Sequence, residues 1–264
     1  MYRFLLRPAW LVFHLVVASA IVLMVNLGFW QLDRLDERQR FNQTVIERTE
    51  RDPLDVADFL APGAYDPDRD EWTPVRLTGT YLPDQVVEFN QSQGGRAGDN
   101  VLTGLVLDEL DVTVIVNRGF VPLPTPAPTP PETRVEIVGV IRASESRERG
   151  GLTDPEQDVV TEVRRIEIPV LAAQFGGDVA PFYVQLFASD PPAVVGDPEP
   201  VLRPELSDGP HLSYAVQWFV FALCVAIGWV LAVRRSLSTR RRSERPAPVT
   251  ELAAPPEPVD AGHR

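Results

Sequence analysis

Residues 209–235 read GPHLSYAVQWFVFALCVAIGWVLAVRR. From Leu212 to Val233 the run is free of charge. As a helix it is long enough to cross the ~30 Å hydrocarbon core of a bilayer. Its mouth is polar, with His211, Ser213, Tyr214 and Gln217 within seven residues of each other. A plain anchor requires none of them. At helical spacing His211, Ala215, Trp218, Ala222 and Trp229 fall on one stripe, with Tyr214 beside it. Ser213, Gln217, Val220, Cys224 and Gly228 fall on another, mostly small or polar, as expected where a second helix packs closely.

A second uncharged run, PAWLVFHLVVASAIVLMVNLGFW, extends from Pro8 to Trp30. ASA at Ala18–Ala20 resembles a signal cleavage site, but the apolar run continues to Trp30. That is longer than a cleaved signal requires, so an uncleaved signal anchor is expected. Arg3 and Arg7 precede the first run, and Arg234, Arg235, Arg240, Arg241, Arg242 and Arg245 follow the second. The positive-inside rule then places both termini in the cytoplasm and the intervening chain outside. The expected order is a cytoplasmic N-terminus over 1–8, a transmembrane helix over 9–30, an extracytoplasmic domain over 31–210, a transmembrane helix over 211–233 and a disordered cytoplasmic tail over 234–264. The chain has no lysine and is rich in arginine, alanine and proline, the codon bias of a GC-rich bacterium. The expected location is therefore a bacterial plasma membrane, crossed twice.

The segment between the runs holds 33 acidic residues against 16 arginines, while the flanks are basic. So acidic a domain argues against nucleic-acid binding, which needs the opposite field. It contains no Cys, His, Met or Lys, and the sole cysteine, Cys224, lies in the second run. A Ser–His or Cys–His nucleophile pair has no material there. A copper chaperone lacks every soft ligand. Paired carboxylates suited to a hydrolase are too common on this surface to carry information.

Along the chain, QLDRLDERQRFNQTVIERTE continues the first run with an amphipathic pattern, expected as a helical stalk that also packs on the domain. DPLDVADFLAPG suggests a short helix. From Trp72 onward come β-type runs: PVRLTGTY, QVVEFN, VLTGLVL, VTVIVNRGF, TRVEIVGVIR and PFYVQLF. Few helices intervene, IPVLAAQFGG being the best, so antiparallel pairing is expected. PLPTPAPTPPET, Pro122 to Thr133, reads as an extended polyproline-like loop. The fold class expected is two transmembrane helices flanking an α+β domain built on an antiparallel β-barrel or sandwich.

Ionisable groups inside a membrane are costly and suggest function. His14 reads as a neutral histidine bonding a neighbouring helix, and Asn26 as a polar contact between helices. The His211 stripe suits a flat apolar ligand, a haem with imidazole ligation foremost. It equally suits an interfacial aromatic belt. The residues alone leave both readings open.

HLSYAVQWFVFA closely resembles the second-span motif of the surfeit locus protein 1 family. LGFWQLDRLDER resembles that family's G-x-W-Q-x-x-R element, with Trp30, Gln31 and Arg34 in place. VNRGFVP, from Val116, resembles V-N-R-G-W-V-P, with Phe120 where tryptophan is usual. PVRLTGTY resembles the strand between those two elements, and the likeness runs from Ala9 to Val233.

The resemblance implies a non-enzymatic assembly factor for haem-copper cytochrome c oxidase, acting as a chaperone that places or stabilises haem a in the catalytic subunit. It implies that His211 contacts the haem, with Tyr214 and Trp218 beside it and no metal apart from that iron. Trp30 and Gln31, with Arg34 in the same element, would mark the junction of helix and domain. Asn117, Arg118 and Gly119 would mark the end of a core strand and its turn, and Gln217 belongs to the second-span motif. Arg118 offers a fork for a carboxylate or haem propionate, or an internal salt bridge. The expected partners are oxidase subunits, chiefly the haem-bearing one, and the lipid bilayer. The alternative is a membrane adaptor whose outer domain binds a respiratory-complex partner without haem.

Overall fold

No proline interrupts the sequence from Ala9 to Thr49, and helix α1 occupies Pro8–Thr49 without a break. The expected continuation past Trp30 is therefore present as a helix. The computed structural model describes residues 6–147 and 160–243. After α1 come β1 (Leu54–Asp55), a 3-10 turn (Val56–Phe59), α2 (Pro67–Asp70), β2 (Pro74–Gln93), β3 (Arg96–Leu107), β4 (Val112–Pro122) and β5 (Val135–Ala143). β6 (Glu162–Val163), α3 (Ile168–Phe175), β7 (Asp178–Asp190) and α4 (His211–Ser243) complete the order. α4 runs past Arg234, where a disordered tail was expected; residues 244–264 of that tail lie outside the described residues. α1 and α4 are both long and apolar enough to cross a membrane.

The chain divides into two units, Met1–Arg38 with Asp208–Arg264, and Gln39–Ser207. In the second unit the five long strands pair in the order β2–β3–β4–β7–β5, and β5 pairs back to β2, closing a ring. A sandwich would leave two separate sheets. The expected antiparallel pairing holds for β2·β3, β3·β4, β5·β7 and β2·β5. It fails at β4·β7, which is parallel, as are the two-residue strands β1 and β6 against β2. One parallel pair is unavoidable, because a closed ring of five strands cannot alternate direction all the way round. PVRLTGTY and QVVEFN are one strand, not two. β2 continues past Pro83 by shifting register between Tyr81 and Gln85.

Period-two alternation divides the apolar residues between the two faces of the strands. Val75, Leu77, Leu105, Val114, Val116, Ile137, Phe182 and Val184 form one buried cluster drawn from all five long strands. On the other face Val86, Leu102, Ile115 and Tyr183 are covered by Ile166, Ile168 and Leu171, the last two on α3. The final turns of α1 dock on this unit, as expected of the stalk. Val45 is buried with Trp72 and Val140. Arg48 donates to the carbonyls of Glu71 and Asp68, each at 2.8 Å.

Candidate functional site

In the first unit, α1 and α4 pack side by side through residues three and four apart. On α1 the part-covered positions include Trp10, His14, Val17, Ile21, Met24, Gly28 and Gln31. On α4 they include His211, Ala215, Trp218, Ala222, Val225 and Ala232, with Ala215 only 1% and Ala222 6% exposed. Alternating steps of three and four produce the shallow crossing of coiled-coil-like packing. Gly28 is the closest approach, since a Cβ there would strike the ring of Phe219. Phe29 meets the same ring edge-on at 5.5 Å.

Each end of the seam carries one cross-helix hydrogen bond. At one end Trp229 Nε1 donates to His14 Nδ1 at 2.8 Å. At the other, His211 Nδ1 and Gln31 Oε1 lie 2.9 Å apart. His14 with Trp229 and Gln31 with His211 run in opposite chain senses, so the helices are antiparallel. His14 thus bonds its neighbouring helix, as its position suggested. With the Gln31 oxygen accepting, His211 carries its proton on Nδ1 and keeps the Nε2 lone pair for a ligand. Metal-binding histidines are oriented in this way, by a partner on the other nitrogen. The chemistry of His211 therefore fits an iron ligand.

The two stripes of α4 take the opposite parts to those expected. The stripe of His211, Ala215, Trp218 and Ala222 is the one α1 covers, whereas Ser213, Gln217, Val220, Cys224 and Gly228 are exposed. The reason is polar satisfaction. In an apolar medium, facing His211 and Trp229 toward Gln31 and His14 pairs all four groups. A flat ligand lying along the stripe has no room at Ala215, and only the His211 end is reachable. Tyr214 is 48% exposed there, and Trp218 is half-buried with its ring edge-on to Phe221. Asn26 is not a contact between helices, because its Nδ2 donates to the Val22 carbonyl of its own helix at 2.8 Å. Trp30, Gln31 and Arg34 lie within α1, which runs through them without a break. Arg34 stacks over Trp30 at 5.6 Å and pairs with Glu37 at 2.6 Å. Gln217 is exposed on α4.

The second unit holds the remaining motif residues. Asn117, Arg118 and Gly119 were expected at a strand's end and turn, but they lie inside β4. Val101 opposes Gly119 and Leu102 opposes Asn117, so Arg118 is the extra residue of a β-bulge. Bulges re-aim side chains. Asn117 Oδ1 accepts from the Gly119 amide at 3.1 Å, and Gly119 takes φ +136. Phe120, in place of the usual tryptophan, is fully enclosed.

Arg118 is 5% exposed. Its Nη1 donates to Gln85 Oε1 at 2.9 Å and to the Pro128 carbonyl at 3.1 Å, and its guanidinium lies over the Tyr81 ring at 5.4 Å. Neither Gln85 nor Tyr81 was singled out in the sequence; both lie more than thirty residues from Arg118, where no local pattern links them. The internal salt bridge considered for Arg118 is not formed with any carboxylate among the described residues. Burial lowers its pKa, and burial likewise pushes the Tyr81 hydroxyl up to about 12.

Comparison with known proteins completes these observations. The family model described as SURF1 family matches residues 18–223. A protein of Mycobacterium tuberculosis named as an uncharacterized SURF1-like protein is 33% identical over 254 residues, spanning 93% of this chain and 91% of its own. The surfeit locus protein 1 of Takifugu rubripes is 27% identical, spanning 78% and 89%. A SURF1-like protein of Rickettsia felis is 23% identical, spanning 85% and 98%.

Proposed function

Since the chain belongs to the SURF1 family, we propose that it is an assembly factor for haem-copper cytochrome c oxidase that presents haem a, its cargo, to the catalytic subunit. The observation that carries this reading is the His211–Gln31 pair. Helix pairing alone accounts for the bond at Nδ1, whereas Nε2 has no hydrogen-bond partner among the described residues and stays open to a ligand. An imidazole so oriented supplies one axial bond to haem iron. Tyr214 and Trp218 offer apolar ring surface beside it. Holding by one ligand at the end of the helix pair, rather than in a deep cleft, suits cargo that must leave again.

Under this proposal both spans cross a bacterial plasma membrane, with the acidic unit outside and both termini in the cytoplasm. The antiparallel helices bring Arg7 and Arg234 toward the same end of the pair, the cytoplasmic one, in agreement with that orientation. The expected partners are the haem-bearing oxidase subunit and the bilayer, and the role is non-enzymatic.

Deleting the protein should lower haem a content and oxidase activity in isolated membranes. Purified full-length protein should take up haem a, with a Soret band that changes in His211→Ala. Gln31→Leu should weaken uptake several-fold by freeing the ring to rotate. Identical occupancy and spectra in wild type and His211→Ala would remove the ligand role. The alternative, an adaptor without haem, predicts that both spans can be exchanged for unrelated anchors with oxidase activity kept.

A further inference from the structure

The second unit contains a cavity of about 650 Å³ that the haem reading does not use. Its walls come largely from two proline-rich stretches, with Pro130 and Pro131 on one and Pro191, Pro192 and Pro198 on the other. Leu186 of β7 and Val135 of β5 add apolar surface. Proline backbones are stiff, so such walls are pre-formed and lose little entropy when a ligand enters. The volume lies within the range of small-molecule sites. Two polar side chains in the lining are themselves deeply buried, Arg118 at 5% and Tyr81 at 8% exposure.

The hydrogen bonds of Arg118 leave one edge of the guanidinium unused. Gln85 and Pro128 both accept from Nη1. Nε and Nη2, the edge that binds a carboxylate side-on with two parallel bonds, have no acceptor among the described residues. The Tyr81 hydroxyl also has none among them, and its raised pKa keeps it a donor. A buried cation with no carboxylate in direct contact is costly to maintain, and Asp197 offsets that cost only through space. The bulge in β4 nonetheless turns this arginine into an apolar chamber.

We propose that this cavity binds a small molecule carrying a carboxylate on an apolar body, the carboxylate on Arg118 and Tyr81 and the body against the proline walls. One protein carboxylate, Asp197, also lines the cavity; its Oδ2 accepts from the Val194 amide at 2.8 Å, and it acts on Arg118 through space without an ion pair within 4 Å. It therefore acts as a like charge that an entering anion must tolerate.

The test uses the full chain in zwitterionic nanodiscs, titrated calorimetrically with 2-naphthoate and with its neutral counterpart 2-naphthamide. Empty nanodiscs serve as the reference for partitioning. Wild type should bind the acid saturably at one site and the amide at least tenfold more weakly. Arg118→Gln should lose tenfold or more of the affinity for the acid and none for the amide. Asp197→Asn, which leaves the arginine in place, should bind the acid several-fold more tightly. No saturable binding of the acid by wild type, equal binding of acid and amide, or an Asp197→Asn affinity no higher than wild type would each overturn the proposal. The Asp197→Asn arm decides the matter even where Arg118→Gln does not fold. None of these readouts depends on haem, so failure here leaves the His211 proposal standing, and the reverse.

Discussion

Glu88 on β2 is 7% exposed, and its carboxyl is met by Asn100 Nδ2 at 2.8 Å. Desolvation outweighs that hydrogen bond and raises its pKa from 4.5 to about 7. Between those two values the folded chain keeps a proton that the unfolded chain has lost. Stability therefore falls as pH rises through that window and levels off above it. At about 1.4 kcal/mol per unit, the burial costs on the order of 3 kcal/mol once the group is charged. Glu88→Gln keeps an acceptor for Asn100 and removes the charge. Melting curves at pH 5 and pH 8 should show the wild type losing stability between them and the variant losing much less. Gly119 makes a different demand. Its φ of +136 suits glycine, and a Cβ there would overlap the carbonyl oxygen of Glu199. That carbonyl accepts from the Phe120 amide at 2.7 Å, so retreat would break a strand contact. Gly119→Ala should cost on the order of 3 kcal/mol from strain and overlap together, measured as a lower melting temperature of the full chain.

Among the elements, the α1–α4 seam was legible in part. The helical wheel drew both stripes of α4 correctly, yet composition could not choose between them, since Ala215 and Ala222 are as small as Ser213 and Gly228. The choice came from side chains about 180 and 215 residues away, Gln31 and His14. No reading of α4 alone contains them. The β4 bulge was hidden for the same kind of reason: VNRGF suggests a turn by its glycine, but the register against β3 sets the extra residue at Arg118. β2 shows the converse, where Pro83 and Asp84 look like a break but a register shift carries the strand past them. The seam makes its own predictions. A His14→Leu and Trp229→Phe double-mutant cycle should give a coupling of roughly 0.5–2 kcal/mol, the range of hydrogen bonds between membrane helices. Gly28→Leu should push the ring of Phe219 away, cost ~2 kcal/mol by overpacking and, under the proposed haem role, broaden the spectrum of added haem a through loss of the Gln31 contact.

For the whole molecule, the order helix, strands, helix was evident from the two uncharged runs and the β-type segments between them. Ring closure was not, because the β2–β5 and β4–β7 pairings join strands far apart in sequence. Orientation is testable directly. In a Cys224→Ser background, Glu109→Cys in the exposed β3–β4 turn should react with a membrane-impermeant maleimide in intact spheroplasts, and protection of that site until lysis would reverse the proposed topology. The closed ring has a further consequence for a protein proposed to work beside unfinished polypeptides. A nascent subunit presents unpaired backbone that adds readily to any open strand edge. Here the ring gives each of the five long strands a long-strand partner on both sides, β6 meets β2 at Val87 and Glu88 on the side that β5 leaves after Gly79, and the two-residue strands β1 and β6 are too short to serve as templates. Such a protein can stay close to a client chain without being copied into it. Its recognition is left to side chains and shape, and release costs no backbone hydrogen bonds.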